Sequence, residues 1–321
     1  MARGFSLGRM MGFPISADYS WLILFFLILW SFTAGVFPAA APGLSSVAYL
    51  AMGLGGTVLF FVSLIIHELA HAVVARVKGI EVDGITLFVF GGLARTRSES
   101  TTPGDEFQIA GVGPLASFGL AALFWLIGWA AAAADASPAV AVVATYLAAL
   151  NLALAVFNLL PGFPLDGGRL LRAAVWKVTG DMTRATRVAA RAGQGLGWLL
   201  IGFGVLLAVG GQIVSGLWLM FIGWFLGNAA RSSVRQHLAR SALDGASAAR
   251  LMRPVAAGFH GADDEVRVAA SLPMTEVIEE LRAAPTGRVL VVEGDTVVGV
   301  VNAADVAAWM GGIRYRNQEG R

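Results

Sequence analysis

Cysteine is absent from the 321 residues of the chain. This absence excludes disulfide bonds, thiolate zinc sites and thiol nucleophiles, and it leaves the redox compartment undetermined. Charged residues are also scarce: they make up 14% of the chain, whereas soluble globular proteins carry about 25%. With 57% hydrophobic residues and a mean hydropathy of +0.71, the composition predicts a membrane-embedded protein.

Basic residues are too dispersed to form a surface for nucleic acid. The formal net charge is only +2, and Lys and Arg form no dense stripe along the sequence. We therefore expect no nucleic-acid partner, and we expect membrane lipid to surround much of the chain.

Six apolar segments are long enough to approach the roughly 17–25 residues that a spanning helix requires. The fifth of them is short and rich in glycine. The predicted spans are residues 20–37, 47–75, 107–134, 139–160, 194–209 and 213–230. The composition becomes charged and mixed from about Arg231 onward, where we expect a tail outside the membrane to begin.

Lys and Arg are confined to alternate connections between the predicted spans. The three remaining connections, around residues 39–46, 135–138 and 210–212, contain neither residue. This asymmetry follows the positive-inside rule and predicts a multi-pass protein of the cell membrane with both termini in the cytoplasm. An alternative is that the first span is a cleaved signal peptide, because Ala39-Ala40-Ala41 resembles a small-residue cleavage site.

The second predicted span contains His67-Glu68-Leu69-Ala70-His71, an H-E-x-x-H pattern. On a helix, residues four apart share a face, so both imidazoles can reach one ion while Glu68 lies beside it. Ionisable side chains are costly inside a membrane and mark functional sites there. We predict a zinc site that keeps a position open for water, with Glu68 as the general base.

Two histidines do not complete a catalytic zinc site, which takes a third protein ligand. The other histidines of the chain, His237 and His260, lie in the predicted tail. Asp166 is the best remaining candidate, because nearby prolines interrupt the fourth span and two glycines leave the backbone free to turn. An ordinary turn at a helix end is the alternative interpretation of this segment.

Together these motifs resemble those of the site-2 proteases, a family of intramembrane zinc metallopeptidases. H-E-L-A-H in the second span and F-x-L-D-G-G near the end of the fourth occur in the order that the family shows. The resemblance implies that His67, His71 and Asp166 bind one zinc ion per chain and that Glu68 is the base. It also implies that Asn158 helps to hold or polarise the substrate carbonyl. An interhelical hydrogen bond is the alternative role for Asn158.

The same resemblance implies a small membrane-associated β-sheet in residues 80–96, a segment rich in β-forming residues with a turn signal at Gly91-Gly92. An exposed strand edge there could pair with the substrate backbone, and a plain cytoplasmic connection is the alternative. The segment Gly111-Val112-Gly113-Pro114 resembles the family's glycine-proline motif and would let the third span approach its neighbours closely. Glycines in the fifth and sixth spans indicate close helix packing or a mobile lateral gate.

After a linker at residues 236–247, the tail at 248–321 resembles one cystathionine-β-synthase-type (CBS) domain. We predict a helix at 273–284, a hairpin formed by 288–292 and 296–301, and a last helix at 303–310 capped by Asn302. Such domains usually pair and bind adenine nucleotides. The resemblance therefore implies a homodimer and places ATP or another adenine nucleotide at Asp305, although Asn302 stands where the family pattern has Thr or Ser. A purely dimerising role is the alternative.

The predicted fold is an α-helical polytopic membrane protein, with six transmembrane helices and a small membrane-associated β-sheet in residues 1–235, joined to a small α/β cytoplasmic domain. The predicted function is intramembrane zinc endopeptidase, modulated by the tail. Its expected substrates are membrane-tethered single-span proteins, such as an anti-sigma factor or a membrane-tethered transcription factor, cleaved within or near the transmembrane helix.

Two other functions are compatible with parts of the sequence. A transporter or channel gated by the tail would use the histidines and Asp166 as an ion path, but no inverted repeat is visible. A membrane metalloprotease for lipidated C-termini would take a later glutamate as its third ligand, and predicted spans three to six contain none.

Overall fold

The structure is a computed structural model that describes residues 4–89, 91–96, 99–134, 137–256, 258–262 and 265–309. The chain forms two compact units, Met1–Arg231 and Ser232–Arg321. The boundary between the units lies a few residues before the predicted start of the linker at residue 236.

Six helical segments in the described part of the chain are long and apolar enough to cross a membrane, as predicted. They are Tyr19–Ala40, Ser46–Val77, Pro103–Ala133, Pro138–Asn158, Met182–Val209 and Ile213–Ala239. The helices are α1 (Tyr19–Ser31), α2 (Phe37–Ala40), α3 (Ser46–Val77), α4 (Pro103–Ala133), α5 (Pro138–Asn158), α6 (Asp166–Thr179), α7 (Met182–Val209) and α8 (Ile213–Asp244). A π-helical segment, Phe32–Val36, joins α1 to α2.

Helix α7 begins at Met182, well before the predicted start of the fifth span at residue 194. Its first half is amphipathic: basic side chains lie on an exposed face and small residues on a buried one. The exposed residues are Arg184, Arg187 and Arg191, and the buried ones include Ala185, Ala189 and Gly193. A hydropathy criterion ends the span where the charges begin, whereas the helical hydrogen bonds continue through them.

A four-stranded sheet lies beside α3. Its strands are β1 (Gly4–Met10), β2 (Phe13–Asp18), β3 (Val82–Phe88) and β4 (Gly91–Thr96), in the order β1-β2-β3-β4. The pairs β1/β2 and β3/β4 are antiparallel, whereas β2 and β3 are parallel with Ile15 opposite Ile85. Strands β3 and β4 fall within the predicted segment 80–96. The hairpin β1–β2 was not predicted, although the alternate burial of Phe13, Ile15 and Ala17 is the period expected of a strand.

The sheet packs against the part of α3 that carries the H-E-x-x-H motif. Phe13 and Ile85 form a buried cluster with Leu69 and Ala72 of α3. Arg76, one turn further along α3, lies 4.4 Å above the Phe13 ring and donates a hydrogen bond of 2.9 Å to the Met11 carbonyl. These contacts fix the motif relative to the sheet.

Helix α4 has a central place in the first unit, because it packs against α3, α5 and α6. Residues on one of its faces are buried against these neighbours, including Ile109, Gly113 and Ser117. The metal-site helices α3 and α6 therefore share α4 as a common neighbour.

The second unit has a sheet of order β5-β8-β7-β6. Its elements are α9 (Ala248–Leu251), β5 (Arg253–Pro254), β6 (Arg267–Ala269), α10 (Met274–Ala283), β7 (Arg288–Glu293) and β8 (Thr296–Asn302), followed by helical residues 303–309. The predicted helices and hairpin of the tail occupy these positions, and Met310 lies outside the described residues. Most of the predicted linker is helical, because α8 continues to Asp244.

Candidate metal centre

Three side-chain donors converge in the first unit. Nε2 of His67 and Nε2 of His71 each lie 3.2 Å from Oδ2 of Asp166, and the two nitrogens lie 3.2 Å from each other. One ligand atom from each of the three residues lies within 4.8 Å of the other two, a spacing that could hold a metal ion. The helical spacing of four residues places both imidazoles on one face of α3, as predicted.

The second ring nitrogen of each histidine is hydrogen-bonded to α4. Nδ1 of His71 lies 2.6 Å from the Ile109 carbonyl, and Nδ1 of His67 lies 2.9 Å from Oγ of Ser117. A carbonyl can only accept, so Nδ1 of His71 carries the proton and Nε2 keeps its lone pair for a metal. Such outer hydrogen bonds commonly orient metal-binding histidines and set their tautomer.

The α4 residues that face the histidines occur at a regular spacing. Ile109, Gly113 and Ser117 are four residues apart and lie on the face of α4 that is turned toward the histidines. A β-carbon at Gly113 would overlap Nε2 of His71 and lie 2.8 Å from Nε2 of His67. Because residue 113 is glycine, no side chain occupies the space in which the two histidine nitrogens meet. Sequence reasoning singled out Gly113 for helix packing but missed Ser117, which the spacing of four from Gly113 would have indicated.

Asp166 is the first residue of α6. The segment before Asp166 is held by close contacts between backbones, which leave no room for side chains at the glycines involved. A β-carbon at Gly168 would overlap the backbone of Gly162 and Phe163, and one at Gly193 of α7 would overlap the Phe163 carbonyl. The glycines next to Asp166 therefore pack the chain tightly and place its carboxylate beside the imidazoles.

Glu68 is half-buried and lies next to the edge strand β4. A β-carbon at Gly92 of β4 would lie 2.8 Å from the carboxyl carbon of Glu68 and 2.9 Å from its Oε1. The strand backbone thus approaches the predicted base directly, and a side chain at residue 92 would require Glu68 to move.

Asn158 is the last residue of α5, and its amide Nδ2 donates a hydrogen bond of 3.0 Å to the Leu154 carbonyl of the same helix. Its contact with a substrate carbonyl stays a prediction. A fully buried residue two turns earlier, Asn151, donates from Nδ2 to Oγ of Ser63 on α3 at 3.3 Å. Asn151 therefore makes the interhelical bond that was the alternative role for Asn158, and sequence reasoning did not identify it.

Asp305 lies in the second unit and makes contacts within that unit. Its backbone N–H donates to Oδ1 of Asn302 at 3.0 Å, and its Oδ2 accepts from the backbone N–H of Asn302 at 3.2 Å. This reciprocal pair caps the helix that follows, with Asn302 as the predicted cap. Oδ1 of Asp305 also accepts from Nε of Arg253 at 2.6 Å. Nucleotide binding at Asp305 stays a prediction.

The convergent donors fit the requirements of a catalytic zinc ion. Two neutral imidazoles and one carboxylate are the ligand types that zinc takes, and three protein ligands leave a fourth position for water. Nε2 of His71 keeps its lone pair for a metal because Nδ1 of the same ring is already bonded. This lone pair and Oδ2 of Asp166 are close enough to share one ion.

Comparison with known proteins agrees with this fit. The sequence profile of peptidase family M50 matches residues 55–134 and 129–200. The chain is 36% identical to Rip3 of Mycobacterium tuberculosis, a protein named as a zinc metalloprotease, over 94% of this chain and 91% of Rip3. It is 39% identical to sll0528 of Synechocystis sp., which is also named as a zinc metalloprotease, over 73% of this chain and 61% of sll0528.

A solved structure of a site-2 protease from Methanocaldococcus jannaschii covers 72% of this chain and 95% of its own chain, with 26% sequence identity and a TM-score of 0.49. The extent of the match to Rip3, together with the family profile, carries the assignment. The chain therefore belongs to peptidase family M50, the site-2 protease family, and is a multi-pass membrane zinc metalloprotease.

Proposed function

We propose that the protein is an intramembrane zinc endopeptidase that cleaves membrane-tethered proteins within or near their transmembrane helix. His67, His71 and Asp166 are the zinc ligands in this proposal. The observation that carries it is the convergence of their donor atoms within 4.8 Å, where α3, a helix of membrane-spanning length, meets the first residue of α6. Polar donors that meet in such a setting need a common partner, and a metal ion provides one.

The residues of the site have different roles in peptide hydrolysis. When bound, zinc supplies Lewis-acid polarisation of the scissile carbonyl and lowers the pKa of a water molecule. Glu68 takes the proton from that water and passes it to the leaving amine. Its position supports this role, because Glu68 follows His67 directly and lies beside Gly92 of β4.

Strand β4 is the element that we propose to hold the substrate. It is an edge strand, so one row of its backbone groups is available to pair with an extended peptide. Gly92 brings this strand into contact distance of Glu68. A substrate helix must unwind before its peptide bonds can be attacked, and pairing with β4 would hold the unwound segment beside the base.

Close packing of α7 and α8 supports the first of the two roles considered for their glycines. A β-carbon at Gly197 would lie 2.6 Å from the Gly223 carbonyl oxygen, and one at Gly204 would lie 2.6 Å from the Gly216 carbonyl oxygen. These backbones touch at small residues, as in other membrane helix pairs. A lateral gate would require this contact to open.

The orientation with both termini in the cytoplasm is part of the proposal, and it rests on the distribution of Lys and Arg between the spans. The expected substrates are single-span proteins such as an anti-sigma factor or a membrane-tethered transcription factor. Their identity rests on the resemblance to the family.

We propose that the tail modulates proteolysis, with homodimerisation and adenine-nucleotide binding at Asp305 as the means. The apolar face of α10 is buried in the core of the tail, where Val277 and Leu281 lie, so that face is not the surface for a second copy. Among the described tail residues, Phe259 is the large apolar side chain found exposed, at 37%. The dimer therefore rests on the resemblance to CBS domains.

Co-expression with tagged single-span membrane proteins tests the function. Cells that produce the wild-type protein should contain substrate fragments that are absent from cells producing Glu68→Gln at equal level. Identical fragments in both would exclude Glu68 as the base, and the absence of fragments with every substrate offered would count against the endopeptidase.

A further inference from the structure

A fully buried carboxylate, Glu106, lies at the start of α4 and has no place in the proposed reaction. Its Oε1 accepts hydrogen bonds from Nη2 of Arg172 at 2.6 Å and from Nε of Arg169 at 3.0 Å. Its Oε2 accepts from Oγ of Ser100 at 2.7 Å. Nη2 of Arg169 also donates to Oε2 at 3.4 Å, so three residues hold this one carboxylate with four hydrogen bonds.

Both arginines belong to α6, the helix that begins with Asp166. Arg169 lies one turn after Asp166, and Arg172 lies one turn further along the helix. A short α-helix moves as a rigid body, so a constraint on its second turn also constrains the carboxylate at its first residue. Glu106 therefore controls where the start of α6 lies relative to α4.

The same face of α4 also holds the two histidines. The Ile109 carbonyl and Ser117 bond to Nδ1 of His71 and of His67. The neighbouring acid, Asp105, forms an ion pair of 2.9 Å with Lys78, the residue that follows α3. That pair is partly exposed on both sides, whereas Glu106 is inaccessible to solvent. Helix α4 supplies none of the three clustered donors. It nevertheless bonds to both histidines and to the helix that begins with Asp166.

We infer that Glu106 is a positioning residue, which holds α6 in the one register that brings Asp166 to the histidine pair. This inference rests on the proposed metal site. Apolar packing alone lets a helix slide or rotate slightly, whereas several directional bonds to one carboxylate select a single position. A buried ion pair contributes little stability compared with apolar side chains of the same volume, so geometry is the better explanation of its presence here.

The experiment compares metal affinity in the purified full-length chain. Zinc dissociation constants are measured by competition with a chelator, and the visible absorption spectrum of the Co²⁺-substituted protein reports the coordination geometry. Glu106→Gln keeps the shape of the side chain and removes its charge. Asp105→Asn is the matched control, because it makes the same change at the adjacent residue of the same helix.

We expect Glu106→Gln to weaken zinc binding by about 10–100-fold, the range typical of groups that orient metal ligands, and to alter the Co²⁺ spectrum. Asp105→Asn should change the dissociation constant by less than about 2-fold, because its partly exposed ion pair with Lys78 is weak. A Glu106→Gln protein with the wild-type affinity and spectrum would overturn the inference, even if its melting temperature fell.

Arg169→Lys decides the question if Glu106→Gln does not fold. It keeps the positive charge beside Glu106 but replaces the planar guanidinium, so we expect a changed Co²⁺ spectrum in a folded protein. An unchanged spectrum would overturn the inference. Failure of the proposed metal site would look different: the wild-type chain would not bind zinc, or Asp166→Ala would bind it as tightly as the wild type.

Discussion

Each of the two histidines in the cluster has one ring nitrogen among the convergent donors and the other in a hydrogen bond to α4. His71 presents Nε2 to the cluster because its Nδ1 is bonded to the Ile109 carbonyl at 2.6 Å. His67 is held in the same way by Ser117. The ring orientations are thus set before a metal binds, which reduces the entropy that binding has to overcome.

Variants of the three proposed ligands and a variant of Glu68 should distinguish metal binding from proton transfer. Asp166→Ala, His67→Ala and His71→Ala each remove a ligand, so zinc content should fall from about one ion per chain to near zero, together with activity. Glu68→Gln should keep its zinc and lose turnover by several orders of magnitude, because it cannot accept a proton. Metal analysis of the purified variants and a cleavage assay check both. Full zinc occupancy in Asp166→Ala would remove that residue from the site.

Ser117 tests the hydrogen bond behind His67. Ser117→Ala leaves Nδ1 of His67 without its partner in a fully buried site, so we expect zinc affinity to fall by about 10-fold or more. Ser63→Ala is the control: Ser63 is also a buried serine, but it bonds to Leu59 and Asn151 rather than to a histidine. Chelator competition measures both affinities, and equal losses in the two variants would contradict a specific role for Ser117.

Helix α4 shows how one element can organise a site without supplying a ligand. Its two residues that bond to the histidines, Ile109 and Ser117, are eight residues apart, and Gly113 halfway between them adjoins both imidazoles. The order is reversed, since Ser117 meets His67 and Ile109 meets His71. The two helices therefore run antiparallel at the site.

Gly113 tests this helix packing. A methyl group at Gly113 would occupy the position of His71 Nε2, so Gly113→Ala should displace the imidazole or the helix and remove most of the bound zinc. Gly119 is the control, because a β-carbon there meets nothing within 4 Å. Gly119→Ala should keep the zinc and stabilise the helix slightly, by about 0.5–1 kcal/mol. Zinc content and thermal unfolding in detergent check the pair, and full occupancy in Gly113→Ala would contradict the packing.

Strands β3 and β4 connect the site to the rest of the first unit. The sheet packs on Leu69 and Ala72, which lie within and directly after the H-E-x-x-H motif. A movement of the sheet would therefore move Glu68 and the metal ligands together. This coupling is the physical basis for proposing that β4 presents the substrate to Glu68.

The described part of the molecule contains six helices of membrane-spanning length, and the orientation of the chain can be measured because it has no cysteine. Ser46→Cys and Ser137→Cys place single thiols at exposed positions in two of the three connections that lack Lys and Arg. We expect an impermeant thiol reagent to label both in intact cells. Ser271→Cys, at an exposed position of the tail, should be labelled only after permeabilisation. Labelling of Ser271→Cys in intact cells would reverse the orientation.

The tail offers a separate test of regulation. Asp305→Ala should abolish any effect of ATP on the cleavage rate, but it also removes the carboxylate that accepts from the backbone N–H of Asn302 at the helix cap, which lowers tail stability. Arg253→Gln is the control, because it breaks the ion pair and leaves the Asp305 carboxylate and its cap in place. An ATP response in the wild type and Arg253→Gln but not in Asp305→Ala would support nucleotide binding. A response that persists in Asp305→Ala would exclude that site.

The sequence by itself determined the membrane class and the number of spans, and it predicted the three side chains whose donor atoms the structure brings together. Long apolar runs are recognisable without tertiary information because a bilayer demands a minimum length of apolar helix. His67 and His71 are also locally determined, since a spacing of four places them on one helix face wherever that helix lies. Asp166 was identified with them because the chain offers few other donors among its apolar segments.

Only the tertiary structure decided what holds those donors in place. Ser117, Ile109 and Glu106 act on residues between 38 and 66 positions away along the chain, so no local pattern marks them. The hairpin β1–β2 joins a parallel partner, β3, that lies beyond helices α1 to α3 and becomes a neighbour only after folding. Supporting contacts depend on which helix faces meet, and that choice follows from packing of the whole unit rather than from the residue types at any one position.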